Sequence, residues 1–140
     1  MSLASMLSLE GRVALVTGAS RGLGRAFAAA LAEAGADVAV SCRHAAGLSD
    51  TVAAITACGR RAVPIEADVT DEKQVRAMVE RVTSGLGRLD ILVNNAGAER
   101  INVPPEEQSL ESWKAVLDTN VNGAFLCARE AGRAMIPRGK

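Results

Sequence analysis

The sequence predicts an α/β protein built on a doubly wound parallel sheet. Three observations carry that prediction. Short apolar runs rich in Val alternate with Ala-rich helical segments along the chain. The 140 residues are 49% hydrophobic but only 2% aromatic. A core of Ala, Val, Leu and Ile suits strands buried on both faces. Finally, the glycine-rich stretch "TGASRGLGR" joins the first apolar run directly to the first helix. The length suffices for one domain with a real core.

Taken in order, "RVALVT" (12–17) reads as the first strand, and Gly22 to Gly35 as an Ala-rich helix with Gly35 as its C-cap. "DVAVSC" is the second strand. Leu48, Val52 and Ile55 give helical spacing up to a stop at Gly59. "RAVPIEAD" is the third strand, and Pro64 within it argues for an edge position. Asp71 to Gly85 reads as a helix with Val75, Met78, Val79 and Val82 on one face and acidic residues in its first turn. "LDILVNN" is the fourth strand, apolar on both faces. A polar loop with Pro104 and Pro105 leads into one long helix from Ser109 through Leu110, Trp113, Leu117, Val121 and Phe125 to about Met135. Short connections without repeats predict right-handed crossovers. The expected organisation is a single domain over 1–140, truncated after its fourth β-α unit and incomplete at the C-terminal end.

Sixteen basic and sixteen acidic residues cancel, which is not the basic footprint of a nucleic-acid binder. No secretory leader is read at the start, and no apolar run approaches the roughly 20 residues that span a bilayer. Cys42, Cys58 and Cys127 are widely spaced and lack ligand partners nearby in sequence. They read as reduced, buried packing thiols, so the expectation is a cytoplasmic protein without a metal site.

The glycine loop supplies the functional signal. Gly18 would allow a tight turn, Gly22 a close backbone approach, and Gly24 close packing of helix on strand. With Ser20, Arg21 and Leu23 they form a strand-to-helix junction whose bare N–H groups suit a pyrophosphate. This is the setting of a Rossmann dinucleotide site, where the competing reading is an ordinary turn. A P-loop is excluded because no Gly-Lys-Ser/Thr follows. The second strand ends "VSCRH", without the carboxylate that an NAD site places there. Arg43, with Arg21 and His44 nearby, would instead grip a 2′-phosphate. The expected cofactor is therefore NADP(H), with NAD the less favoured choice. Asp37 begins the strand, at the wrong end for ribose.

Four stretches in order, "TGASRGLG", "ADVT", "NNAG" and "DTNV", resemble the short-chain dehydrogenase/reductase family from Leu9 to the end of the chain. The resemblance implies that Asp68 bonds the adenine amino group beside the Val69 backbone. The alternative is that Asp68 caps the following helix, as Thr70 equally could. The resemblance also implies that Asn94, Asn95, Ala96 and Gly97 line the cofactor ribose and brace the sheet. Asn120, close to the apolar face of the long helix, would hold a water in a proton relay; a buried Asn satisfying backbone groups is the alternative. Family members place a catalytic Ser and Tyr-x-x-x-Lys on a fifth strand and the following helix. This chain contains no tyrosine. His44 and Cys127 are rejected as substitutes, the first for its place near the adenosine end, the second for want of a base.

The family's strand order, 3-2-1-4-5, would leave the fourth strand as an edge here, inviting marginal stability or association. The expected activity of the parent protein is hydride transfer between nicotinamide and a small carbonyl or secondary alcohol. The loop "AERINVPPEEQS" is similar to that of sugar-acid and polyol dehydrogenases such as gluconate 5-dehydrogenases, with 3-oxoacyl carrier-protein reductases as runner-up. Family members form homo-dimers or tetramers through the long helix and a later one. The alternative function is a nucleotide-binding or interaction module without catalysis.

Overall fold

Val13–Thr17 forms strand β1, and all five of its residues are buried. The computed structural model describes residues 3–98 and 102–139. Residues 99–101 of the loop likened to polyol dehydrogenases, and Lys140, lie outside the described residues.

A four-residue helix that the sequence did not signal, α1 (Leu3–Met6), precedes β1. There follow α2 (Gly22–Glu33), β2 (Asp37–Cys42), α3 (Ser49–Ala57), β3 (Ala62–Glu66), α4 (Glu72–Leu86), β4 (Ile91–Val93), α5 (Leu110–Leu117) and α6 (Ala124–Met135). The strands form one parallel sheet in the order β3-β2-β1-β4. Pro64 sits in edge strand β3, and β4 forms the opposite edge. Helices cover both faces. On one side Leu15, Ala39 and Ile65 meet Val75, Met78 and Val82 of α4 and Cys127 and Ala131 of α6. On the other, Val16, Val38 and Val40 meet Ala28 and Ala32 of α2 and Ile55 of α3. Each fully buried Val, Leu or Ile contributes about 1.5–3 kcal/mol.

Three expectations need correction. The single long helix is two α segments joined by a π turn over Asp118–Gly123. A Cβ on Gly123 would stand 2.7 Å from Val69 Cγ2, so its absence lets this turn lie against the loop after β3. The apolar stripe of that helix is not core: Leu110, Trp113, Leu117, Val121 and Phe125 are all exposed. Helical spacing reveals that a stripe exists, not what covers it. Of the three thiols, only Cys127 is fully buried, and burial pushes it up to about 11. Cys42 is half-buried and Cys58 exposed.

Two acids tie the sheet together at its amino end. Asp90 accepts from the Val13 N–H at 2.9 Å and is paired with Arg88 and Arg12. Asp37 accepts from the Arg61 N–H at 2.9 Å and is paired with Arg61 and Arg60. Burial pushes both carboxyls up, but the guanidinium and backbone N–H donors outweigh it and hold both below the ordinary value of 3.8. A carboxyl depressed by folding stabilises the folded state above its unfolded value and loses that contribution as pH falls below it. Thermal melts should therefore show stability falling below about pH 4, with a smaller fall in Asp90→Asn. An equal fall in wild type and variant would show that Asp90 carries none of it.

Candidate functional site

The chain runs from β1 outward to β3, then crosses to the other side of β1 for β4. This reversal leaves a crevice outside the carboxyl ends of β1 and β4, where open α/β sheets place ligands. A cavity of about 940 Å³ lies in this region, near the top of the range of about 300–1,000 Å³ usual for small-molecule sites. Its walls come from four loops, with Ala115 of α5 and Asp118 and Thr119 of the π turn closing a further side. The first supplies Gly18, Ser20, Arg21, Gly22, Leu23 and Gly24. The end of β2 supplies Ser41, Cys42, Arg43 and His44, the loop after β3 Asp68 and Val69, and the loop after β4 Asn95, Ala96 and Gly97.

The glycine loop is a cradle that side chains would fill. Gly18 has φ 65°, and a Cβ there would stand 2.7 Å from Ala96 Cα. A Cβ on Gly24 would meet Gly18 O and come within 2.5 Å of Asn95 Nδ2. A Cβ on Gly22 would meet nothing within 4 Å, so that side of the loop is open. No side chain caps α2 at Arg21. The first-turn N–H groups of a helix lack intrahelical acceptors and sit at the positive end of its dipole.

Asn95 holds the loop from the side. Its Nδ2 donates to Thr17 O and Gly18 O, each at 3.0 Å. Thr17 returns the tie: its Oγ1 accepts from the N–H groups of Asn95 and Ala96 at 3.1 Å and donates to Val93 O at 3.4 Å. Sequence reasoning missed Thr17 as a site residue. The available signal was a hydroxyl ending an otherwise apolar strand.

The structure separates residues that the sequence grouped. Asn94 does not line the cavity; it is exposed, and its Nδ2 donates to Ala124 O at 3.2 Å. Asn120 also lies outside the lining, and it is exposed rather than buried. It stands beside the cavity within the π turn, where its Oδ1 accepts from the Ala98 N–H at 2.8 Å. Asp68 does line the cavity, and its Oδ1 accepts from the N–H and Oγ1 of Thr70. It is not the helix cap: Asp71 accepts from the Lys73 and Gln74 N–H groups at the start of α4.

Arg43 is exposed on the rim, and neither Ser41 nor Cys42 beside it carries a carboxylate. Glu66, unremarked in the sequence, accepts from the Ala45 N–H at 2.9 Å and so braces the Arg43 loop. Ser41 is 1% exposed, lines the cavity, and its Oγ has no hydrogen-bond partner among the described residues. An uncapped helix start, a cradle without Cβ atoms, a rim cation and an orphaned hydroxyl fit an anionic adenine dinucleotide.

The sequence profile of the short chain dehydrogenase family matches residues 12–140. Gluconate 5-dehydrogenase of Gluconobacter oxydans is 41% identical over 140 residues, covering 100% of this chain and 54% of that protein. The 3-oxoacyl-[acyl-carrier-protein] reductase of Synechocystis is 39% identical over 132 residues, covering 94% and 53%. A solved short-chain type dehydrogenase/reductase from Mycobacterium marinum superposes with a TM-score of 0.95 at 44% identity, covering 99% of this chain and 56% of that one. The chain thus spans about half the length of the relatives it matches.

Proposed function

Since the chain belongs to the short chain dehydrogenase family, we propose that it holds NADP(H) for an oxidoreductase acting on a small carbonyl or secondary alcohol. The single observation that carries the cofactor choice is Arg43 at the end of β2, on the cavity rim, with no carboxylate at Ser41 or Cys42. The glycine loop would hold the pyrophosphate and Arg43 the 2′-phosphate. Asp68 would accept from the adenine amino group, and Asn95, Ala96 and Gly97 would line the ribose. Asn120 would order a water beside the reacting end. When bound, the nicotinamide supplies the hydride chemistry. The names of relatives, gluconate 5-dehydrogenase among them, favour a sugar acid or polyol as substrate of the whole protein.

Calorimetric titration of the chain with NADPH and NADH tests the cofactor reading. NADPH is expected to bind more tightly; equal affinities would remove the reason for choosing it. Ser41→Ala should move stability and binding in opposite directions. Deleting a buried, unpartnered hydroxyl relieves a cost of about 1–3 kcal/mol and raises Tm, whereas nucleotide affinity drops if the hydroxyl meets the ligand. A variant with raised Tm and unaltered affinity would remove Ser41 from the site.

A further inference from the structure

Three consecutive carbonyls of the glycine loop are each held by a side chain from a different element. Gly18 O accepts from Asn95 Nδ2 at 3.0 Å, Ala19 O from Thr51 Oγ1 at 2.7 Å, and Ser20 O from Arg25 Nη2 at 2.7 Å. Thr51 belongs to α3 and is fully buried, one turn from core residues Leu48 and Ile55. Arg25 of α2 is steadied by Asp50 of α3 at 3.3 Å. Neither Thr51 nor Arg25 is among the residues lining the cavity, whereas Ser20 is.

The C=O and N–H of a trans peptide point in opposite directions. Holding Ala19 O toward α3 therefore aims the Ser20 N–H the other way, and Ser20 itself lines the cavity. The same hold keeps a partial negative charge from turning toward an anion. We infer that Thr51 is a positioning residue: from α3 it locks the Ala19–Ser20 peptide so that the loop presents a donor, and no acceptor, to the pyrophosphate. This rests on the proposed dinucleotide reading and extends it to a residue that would never touch the ligand. Thr51 also explains why the junction can be preorganised without a side-chain cap at Arg21. The loop's shape is imposed from behind.

The test separates phosphate from base. ADP and adenosine differ in the pyrophosphate alone, so a loop misaligned by Thr51→Val should lose the first and spare the second. Titration of the 140-residue chain with ADP, and ligand-observed NMR with adenosine, should show ADP weakened roughly fivefold to tenfold, the worth of one lost hydrogen bond, and adenosine unchanged. Thr51→Ser, which keeps the donor, should restore ADP binding. Arg25→Lys keeps the charge and gives up the planar reach to Ser20 O, at a side chain 39% exposed. It should repeat the ADP-selective loss in smaller degree, even if Thr51→Val does not fold. Unaltered ADP affinity in the variants overturns the inference, as does an equal loss for both ligands or a failure of the serine to rescue. If the unaltered chain binds neither ADP nor NADPH, the dinucleotide reading falls and takes this inference with it. If it binds both and the variants behave like wild type, the inference alone falls.

Discussion

Gly24→Ala is expected to abolish measurable dinucleotide binding and to destabilise the chain by roughly 1–3 kcal/mol, as overpacking a filled site does. The added methyl would enter a space already occupied by Gly18 O and Asn95 Nδ2. Neither can retreat cheaply. Gly18 O is backbone, held in a turn at φ 65°. Asn95 Nδ2 is committed to two carbonyls, and the neighbouring N–H groups are committed to Thr17. Any shift that accommodates the methyl must part helix α2 from β1 or pull Asn95 off the loop, and either deforms the cradle. Gly85→Ala is the matched control. Its Cβ would lie 3.6 Å from Val63 Cγ2 of β3, an ordinary contact, and within helix α4 Ala is favoured over Gly by about 1 kcal/mol. Thermal melts should separate the two by sign, Gly85→Ala rising and Gly24→Ala falling. A Gly24→Ala chain with wild-type Tm and NADPH affinity would mean that the loop is far more pliable than its contacts imply.

The contrast between these glycines shows what a sequence can disclose. Gly18, Gly22 and Gly24 were legible because their spacing sits at a junction between two elements of different period, where only a small set of backbone shapes fits. The edge position of β3 was legible through Pro64, whereas the strand order came from the topology of the resembled family and not from any spacing in the chain. Asn94 and Asn95 were not separable. They are adjacent, and the structure sends one side chain to Ala124 O and the other to the glycine loop. A motif reports that both are present but not which way each one turns. Thr51 left no trace at all, because a Thr in a helix is unremarkable until its hydroxyl is seen on a carbonyl 32 residues earlier in the chain. The π turn at Asp118–Gly123 was hidden for a different reason. Its residues keep helical apolar spacing, and the close packing of its Gly123 on Val69 is a contact between distant parts of the chain that spacing does not report.

Arg43→Asp should invert cofactor preference. The side chain is exposed at the end of β2, so the substitution removes no core packing and should change stability by no more than about 0.5 kcal/mol. Two effects then act in the same direction. A guanidinium that meets a 2′-phosphate through charge-assisted hydrogen bonds contributes about 1.5–3 kcal/mol, so its loss alone weakens NADPH by roughly tenfold to a hundredfold. The introduced carboxylate adds repulsion against the same phosphate while offering an acceptor to the free 2′-OH of NADH. The ratio of NADPH to NADH dissociation constants should therefore swing by about two orders of magnitude, with NADH improving in absolute terms. Arg43→Lys separates charge from geometry, since a point charge keeps attraction to the phosphate but loses the planar fork; an intermediate ratio is expected. Salt gives an independent check: between low and high ionic strength the NADPH affinity of wild type should fall more steeply than that of Arg43→Asp, because an exposed pair is screened. If the ratio stays put in both variants, Arg43 is a solvated surface residue, and the cofactor preference must be written elsewhere on the rim, with Arg21 and His44 the charged or titratable side chains from the β1 and β2 loops that line the same cavity.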